Sequence, residues 1–340
     1  MFVLCCVVFV FNGDVSAKFL RDMILVLMFV LMGGLCSEDQ LVRGFKIVTL
    51  ATLMILLMEL FYTRIYIMIF EPARYYANTR GIDPIYGSYG LYVGVQNADR
   101  FSFGIFNVPR ASSIFLEQVS LANFSMVLAI FLTTFWDKIG KIDRLLYVAT
   151  IVLIVTANNT RTGTVLNILI MFGYWIFPKL PGRMNVAIMP AILIVSAALF
   201  YDPRIGAGEY SDDINGRIGL TVSLLLNADF YTLFTGNIGD LLENTPDSGY
   251  FYIICYSTVF GLVAYWLYVS LFVPPVDARS KRYIYSTSLF IFINLMIGAA
   301  VFTIKVSAPL WMIGGVLCRE AYLKRQQGNT DARKRIAAAL

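Results

Sequence analysis

The chain has 340 residues, 58% of them hydrophobic and 14% charged, with a formal net charge of +5 and a mean hydropathy of +0.70. So little charge cannot cover the surface of a soluble domain of this length, and that excludes an ordinary water-soluble enzyme. Histidine is absent, which removes the commonest general base and the commonest metal ligand together. The five cysteines (Cys5, Cys6, Cys36, Cys255 and Cys318) lie in or beside apolar segments without ligand spacing, so neither a disulfide framework nor a cysteine metal site is expected.

Apolar runs of roughly 15–22 residues recur along the chain, near the length that crosses a hydrocarbon core of about 30 Å. The opening MFVLCCVVFVF resembles a signal-peptide core but has neither a basic leader nor a small-x-small cleavage site; it reads as a first helix shortened by loss of an upstream stretch. A second helix is predicted over 21–36 and, after the loop SEDQLVRG, a third over 45–61. Hydrophobic periodicity then weakens from 62 to 118. Helices follow at 119–135, 145–158 and 162–178, the last two flanking the polar turn NNTRTG, and a seventh at 185–200. A second long loop, 201–248, contains two apolar stretches, 218–226 and 229–234, that suit interfacial helices. The eighth to tenth helices are predicted at 249–273, 285–303 and 306–320, before a polar, basic tail at 321–340. The fold class is therefore an all-α polytopic integral membrane protein, one domain with about ten transmembrane helices and two large outer loops.

The positive-inside rule orients this layout. Arg43 and Lys46; Lys138, Lys141 and Arg144; Lys179 and Arg183; Arg279, Lys281 and Arg282; and the basic tail all fall on one face of a ten-helix frame, the cytoplasmic one. Lys18 and Arg21 fall on the other. The two long loops carry arginine only: Arg64, Arg74, Arg80, Arg100, Arg110, Arg204 and Arg217. A guanidinium fork grips phosphate or carboxylate bidentately, so this bias points to an anionic ligand such as a diphosphate; snorkelling to the interface is the alternative. The first loop is crowded with aromatics, among them Tyr62, Tyr66, Tyr75, Tyr76, Tyr86 and Phe103, which read as an interfacial belt or as a platform for sugars. The second is acidic, with Asp202, Glu209, Asp212, Asp213, Asp229, Asp240, Glu243 and Asp247 against Arg204 and Arg217. Arg161 stands apart at the outward N-terminus of the sixth helix, where a cation opposes the helix dipole unless an anion joins it.

Three segments carry a resemblance. TANNTRTGTVLNILIMF resembles the T-x-S-R stretch that opens the conserved region of the O-antigen ligase and Wzy-type polymerase superfamily. DINGRIGLTVSLLLNADFYTLFTGNIGD is similar to its GR segment in the long periplasmic loop, and TPDSGYFYIICYSTVFGLVAYWLYV to the entry of the next helix. The likeness runs from about 145 to 272; the N-terminal third shares only the general layout.

The resemblance implies a multi-pass protein of the bacterial inner membrane that polymerises oligosaccharide repeat units carried on undecaprenyl diphosphate at the periplasmic face. It implies further that Arg161 and Arg217, with Arg204 behind them, hold the leaving diphosphate. No metal or cofactor is required for that chemistry. The lipid-linked glycan, the bilayer and a chain-length co-polymerase are the implied partners, and no nucleic acid. Ligases of this family carry a histidine near the end of the large loop; here Asp247 is the candidate base, with Asp213 and Glu209 next. That departure weighs against an O-antigen ligase. The family's Arg followed eleven positions later by Gly is found at no outer-loop arginine, which favours an exopolysaccharide or capsule polymerase over an O-antigen polymerase. From another class, a polytopic transporter or flippase would place charges or helix breaks within its spans. Here only Asp22 and Glu59 approach that, each near a helix end.

Overall fold

The computed structural model describes residues 2–80, 103–106, 110–201, 214–238 and 248–339. Every regular element among the described residues is helical. In chain order these are α1 (Phe2–Asn12), α2 (Ala17–Leu35), α3 (Glu38–Phe61), α4 (Thr63–Phe70), α5 (Pro72–Arg80), α6 (Gln118–Thr134), α7 (Lys141–Asn158), α8 (Arg161–Ile176) and α9 (Ile188–Phe200). They continue with α10 (Ile214–Asn227), α11 (Phe230–Thr235), α12 (Gly249–Leu271), α13 (Ala278–Leu295) and α14 (Ile304–Ala339). The chain forms two compact units, residues 42–172 and residues 1–41 with 173–340.

Each of the ten apolar segments predicted from sequence falls on a helix, but several boundaries move. The expected loop before the third helix is helical because Ser37 and Gln40 cap each other: the Gln40 N–H donates to Ser37 Oγ at 3.2 Å and the Ser37 N–H to Gln40 Oε1 at 2.8 Å. The ninth helix starts at Ala278 rather than 285 for the same reason, Asp277 and Ser280 forming a reciprocal capping box. It ends at Leu295, and a 3-10 turn, Ala300–Phe302, follows Gly298, whose φ is 152°. The stretch expected as loop from 62 contains α4 and α5, and α14 runs on through the expected tail to Ala339. The two interfacial segments predicted in the second loop are α10 and α11.

Among the described residues, three helices are long and apolar enough to cross a membrane: Glu38–Phe61, Gly182–Phe200 (whose first turns are 3-10) and Gly249–Leu271. Apolar side chains point outward along them and along α2, including Leu31, Leu35, Ile47, Met54, Ile194 and Leu199. An aqueous surface does not carry apolar faces of that extent, whereas hydrocarbon is a solvent for them. In the 42–172 unit, α6 is buried on nearly every side; it carries no charge, so no face of it seeks water. Phe131 of α6 stacks on Phe45 of α3 at 3.9 Å.

In the other unit, α2 and α14 meet through glycines. A Cβ on Gly33 would collide with the Met312 carbonyl, and one on Gly315 with the Val30 carbonyl. Small residues let two apolar helices approach until their backbones touch, which is how helices associate where water supplies no driving force. The N-terminal part of α13 ties down neighbouring chain segments. Lys281 donates to the Pro178 and Leu180 carbonyls, Tyr285 to the Pro181 carbonyl, and Arg282 to the Tyr174 carbonyl while its guanidinium lies 3.8 Å over the Tyr174 ring. Arg279 bridges Glu38 and Glu320, at 3.0 and 3.5 Å.

Replacing Gly315 with leucine is expected to lower stability by about 1–3 kcal/mol through overpacking of α2 on α14, measurable by thermal unfolding in detergent. A second test concerns the α13 cap. Burial pushes the Asp277 carboxyl up, but the Lys324 ammonium, 2.6 Å away, and the Ser280 N–H and hydroxyl outweigh it and hold the carboxyl below its ordinary range. A depressed carboxylate stabilises the fold above its unfolded pKa and loses that contribution as pH falls through the folded one. Asp277→Ala is thus expected to cost about 1 kcal/mol at neutral pH, with the gap to wild type narrowing below about pH 4.

Candidate functional site

The α7–α8 turn is built from Asn158, Asn159 and Thr160. Asn159 takes the left-handed conformation (φ 51°, ψ 41°) that ends α7, a state its short polar side chain tolerates. Thr160 starts α8, its Oγ1 accepting the Gly163 N–H at 3.2 Å. Arg161 is the first helical residue and is exposed. The free N–H groups and positive dipole end of α8 therefore lie beside a guanidinium.

A strap of chain, residues 110–118, fastens this turn. The Arg110 Nε donates to the Asn158 carbonyl at 2.7 Å and its Nη2 to Asn158 Oδ1 at 3.0 Å. The Asn158 amide returns two bonds, to the Ala111 carbonyl at 2.7 Å and the Gln118 carbonyl at 2.8 Å. The Ala111 N–H meets the Ala157 carbonyl. Further along the strap, the Ser112 and Ser113 N–H groups point into the Glu59 carboxylate. The Phe103 N–H donates to Asn159 Oδ1 at 2.9 Å.

Below the turn lies an apolar cavity of about 390 Å³ between α7 and α8. Val148, Ile151, Val152 and Val155 line it from α7, Ile168, Met171 and Phe172 from α8, and Phe103 from above. The hydroxyls of Thr156 and Thr164, which also line it, are turned back onto backbone carbonyls of their own helices. Thr164 lies one turn after Arg161, so the cavity wall begins one turn along α8 from that residue. Asn167 is the polar floor: its amide nitrogen binds Ser125 Oγ and the Gly163 carbonyl, while its Oδ1 is buried without a partner among the described residues.

Of the six site residues that the resemblance implies, Arg161 and Arg217 are described. Arg161 belongs to the 42–172 unit; Arg217 lies at the end of the first turn of α10 in the other unit, half-buried between the buried Gly216 and Gly219. Arg204, Glu209, Asp213 and Asp247 lie outside the described residues, as do Arg100, Tyr86 and most acids of the second loop. Asp229, an acid of that loop that is described, is the N-cap of α11. The Thr232 hydroxyl and N–H hold its carboxyl below the ordinary range, which suits a cap and not a general base.

Two readings of the first loop need correction. Arg110 does not hold itself ready for a ligand; it grips the end of α7. Tyr66 and Tyr76 are neither belt nor platform: both are buried, with hydroxyls on Ser112 and Ser113 and on Gln118 respectively. Glu59, read from sequence as a charge near a helix end, and Asn158, read as part of the polar turn NNTRTG, hold the strap together. Their partners are 40 to 54 residues distant, so no local pattern reveals them. Asp22 is likewise buried, inside the second turn of α2, 2.7 Å from Arg21. No protein-family model, curated protein or solved structure matches the chain.

Arg110→Ala is expected to lower stability by about 1–3 kcal/mol, because two buried acceptors on Asn158 lose their donors. Arg110→Lys is expected to restore little, since an ammonium cannot reproduce the two-pronged grip. Thermal unfolding of the two variants beside wild type checks both points.

Proposed function

We propose that this chain is a membrane glycosyltransferase that polymerises repeat units carried on undecaprenyl diphosphate. The observation that carries the reading is the placement of Arg161. An exposed arginine at a helix N-terminus lies one turn before the residues that line a cavity walled by hydrocarbon. An isoprenoid diphosphate has that polarity: a doubly charged head for the arginine and dipole, and a chain for the apolar groove. The cavity volume falls at the lower end of the usual range for small-ligand sites, about 300–1,000 Å³. The order of the three family-like segments supports the same reading.

In this proposal the ten apolar helices are spans of a bacterial inner membrane, with the 62–118 and 201–248 segments on the periplasmic side. Arg161, Arg217 and Arg204 neutralise the diphosphate as the glycosidic bond breaks, and an acid of the second loop, with Asp247 first and then Asp213 and Glu209, takes the proton from the acceptor hydroxyl. The product is an exopolysaccharide, capsule or O-antigen chain, with its length set by a co-polymerase partner. Ligation to a lipid A core is the alternative outcome of the same chemistry.

One observation favours a second reading, a transporter. Thr258 interrupts α12 with φ 68° and ψ 174°, deep in a helix long enough to span, and its side chain is fully buried. Irregular backbone at such a depth lines cavities in transporters.

A single experiment separates these. In a strain lacking the gene, mass spectrometry of lipid-linked oligosaccharides is expected to show single repeat units on the carrier and no surface polymer. Re-expressed Arg161→Ala and Arg217→Ala are each expected to yield roughly 10²-fold less polymer than wild type. Long lipid-linked chains that never reach lipid A would indicate a ligase. Repeat units trapped on the cytoplasmic leaflet would indicate a transporter and sink the arginine assignment.

A further inference from the structure

Glu59 is a carboxylate with a fixed task that the reaction above does not use. It lies in the last turn of α3, where the helix dipole disfavours a negative charge, and only 5% of its surface is exposed. Its position is nevertheless saturated with donors. The Ser112 N–H donates to both carboxylate oxygens at 3.0 Å, the Ser113 N–H to Oε2 at 2.6 Å, and the Ser112 hydroxyl to Oε1 at 3.2 Å. Ser113 is bent into the left-handed region (φ 49°) to aim its N–H this way. A serine adopts that backbone at a cost and keeps it only where its surroundings dictate. Tyr66 clamps the same bend from the other side, its hydroxyl 3.0 Å from Ser112 Oγ and donating to the Ser113 carbonyl at 2.8 Å. Ser113 Oγ donates to the Thr52 carbonyl.

The bend so fixed is the root of the strap. Two residues earlier, Arg110 and Ala111 hold the last carbonyls of α7, and Asn158 holds the strap in return. Three residues after Asn158 comes Arg161. We infer that Glu59 is a positioning residue: by fixing the Ser112–Ser113 bend it sets the α7–α8 turn and so the direction in which Arg161 meets its phosphate. This rests on the reading of Arg161 as a diphosphate contact. Glu59 itself touches no substrate.

The test joins local exchange with a double-mutant cycle on purified protein in detergent. Glu59→Gln keeps one acceptor oxygen and sets an amide NH₂ against the second N–H. Tyr66→Phe, a milder change, loosens the clamp without touching the carboxylate and covers the case in which Glu59→Gln fails to fold. In either variant, hydrogen exchange at 110–118 and 157–163 is expected to rise at least about tenfold while α12 to α14 exchange as before. Binding of undecaprenyl diphosphate is expected to weaken about tenfold in Glu59→Gln and further in Arg161→Ala, with the double variant no weaker than Arg161→Ala alone.

Effects that multiply in the double variant, or exchange that does not change in 157–163, overturn the inference, because Glu59 would then act through general stability. Accelerated exchange together with an Arg161→Ala protein that binds like wild type leaves the positioning of the turn standing and sinks only the diphosphate reading.

Discussion

Where a helix stops inside apolar surroundings, its last carbonyls have no water to turn to, and each one left unpaired costs several kcal/mol. The end of α7 shows how heavily the fold depends on meeting that demand. The carbonyls of Ala157 and Asn158 are taken by Ala111 and Arg110, and the Asn158 side chain closes the exchange from its own side. The strap that supplies these donors is irregular and needs partners for its own N–H groups, which Glu59 provides. The polar side chains of this unit thus form one chain of obligations that runs from α3 to the start of α8. Remove a member and a buried group is orphaned.

The same demand explains the basic residues of the other unit. Lys281, Arg282 and Tyr285 are spent on the Tyr174, Pro178, Leu180 and Pro181 carbonyls at and beyond the end of α8. Arg319 donates to the Cys36 carbonyl at the end of α2. Cations at helix C-termini also suit the dipole. In these positions the basic side chains carry out a structural task. Two further side chains satisfy carbonyls across the fold in the same manner, Trp266 on Val186 and Asn185 on Ser270.

What could be read from the sequence follows the range of the forces. Hydropathy located the long apolar helices, because burial in hydrocarbon is set by local composition, but it passed over the short apolar α4. The amphipathic stretches 218–226 and 229–234 were legible for the same reason. Helix starts were also written locally, as Ser37 three residues before Gln40 and Asp277 three before Ser280, yet a charge-rich segment reads as loop when polarity is weighed above capping. Long-range pairing was not legible. Nothing near Tyr76 indicates that its hydroxyl meets Gln118, and Glu59 announces a charge without naming Ser113. Of the candidate site, the one residue whose role could be argued from its neighbours alone was Arg161, because a helix N-terminus is itself a local feature.

The structure also sorts the arginines that first suggested an anion. Seven arginines and no lysine in 62–118 and 201–248 is a bias that a single explanation need not cover. Arg110 is accounted for by the end of α7, and Arg74 by Glu71 at 2.9 Å on an exposed helix, a pair of little energetic weight. Arg161 differs from these in its place: it is exposed at the N-terminal end of α8, one turn before the residues that line the cavity. In the proposed reaction fixed positive charge stabilises a departing phosphate, and it needs no proton transfer to act. Geometry then matters more than acidity, since a guanidinium is always charged and only its direction can be wrong. That is why a buried carboxylate several contacts away, holding a bend in the backbone, bears on the chemistry at all.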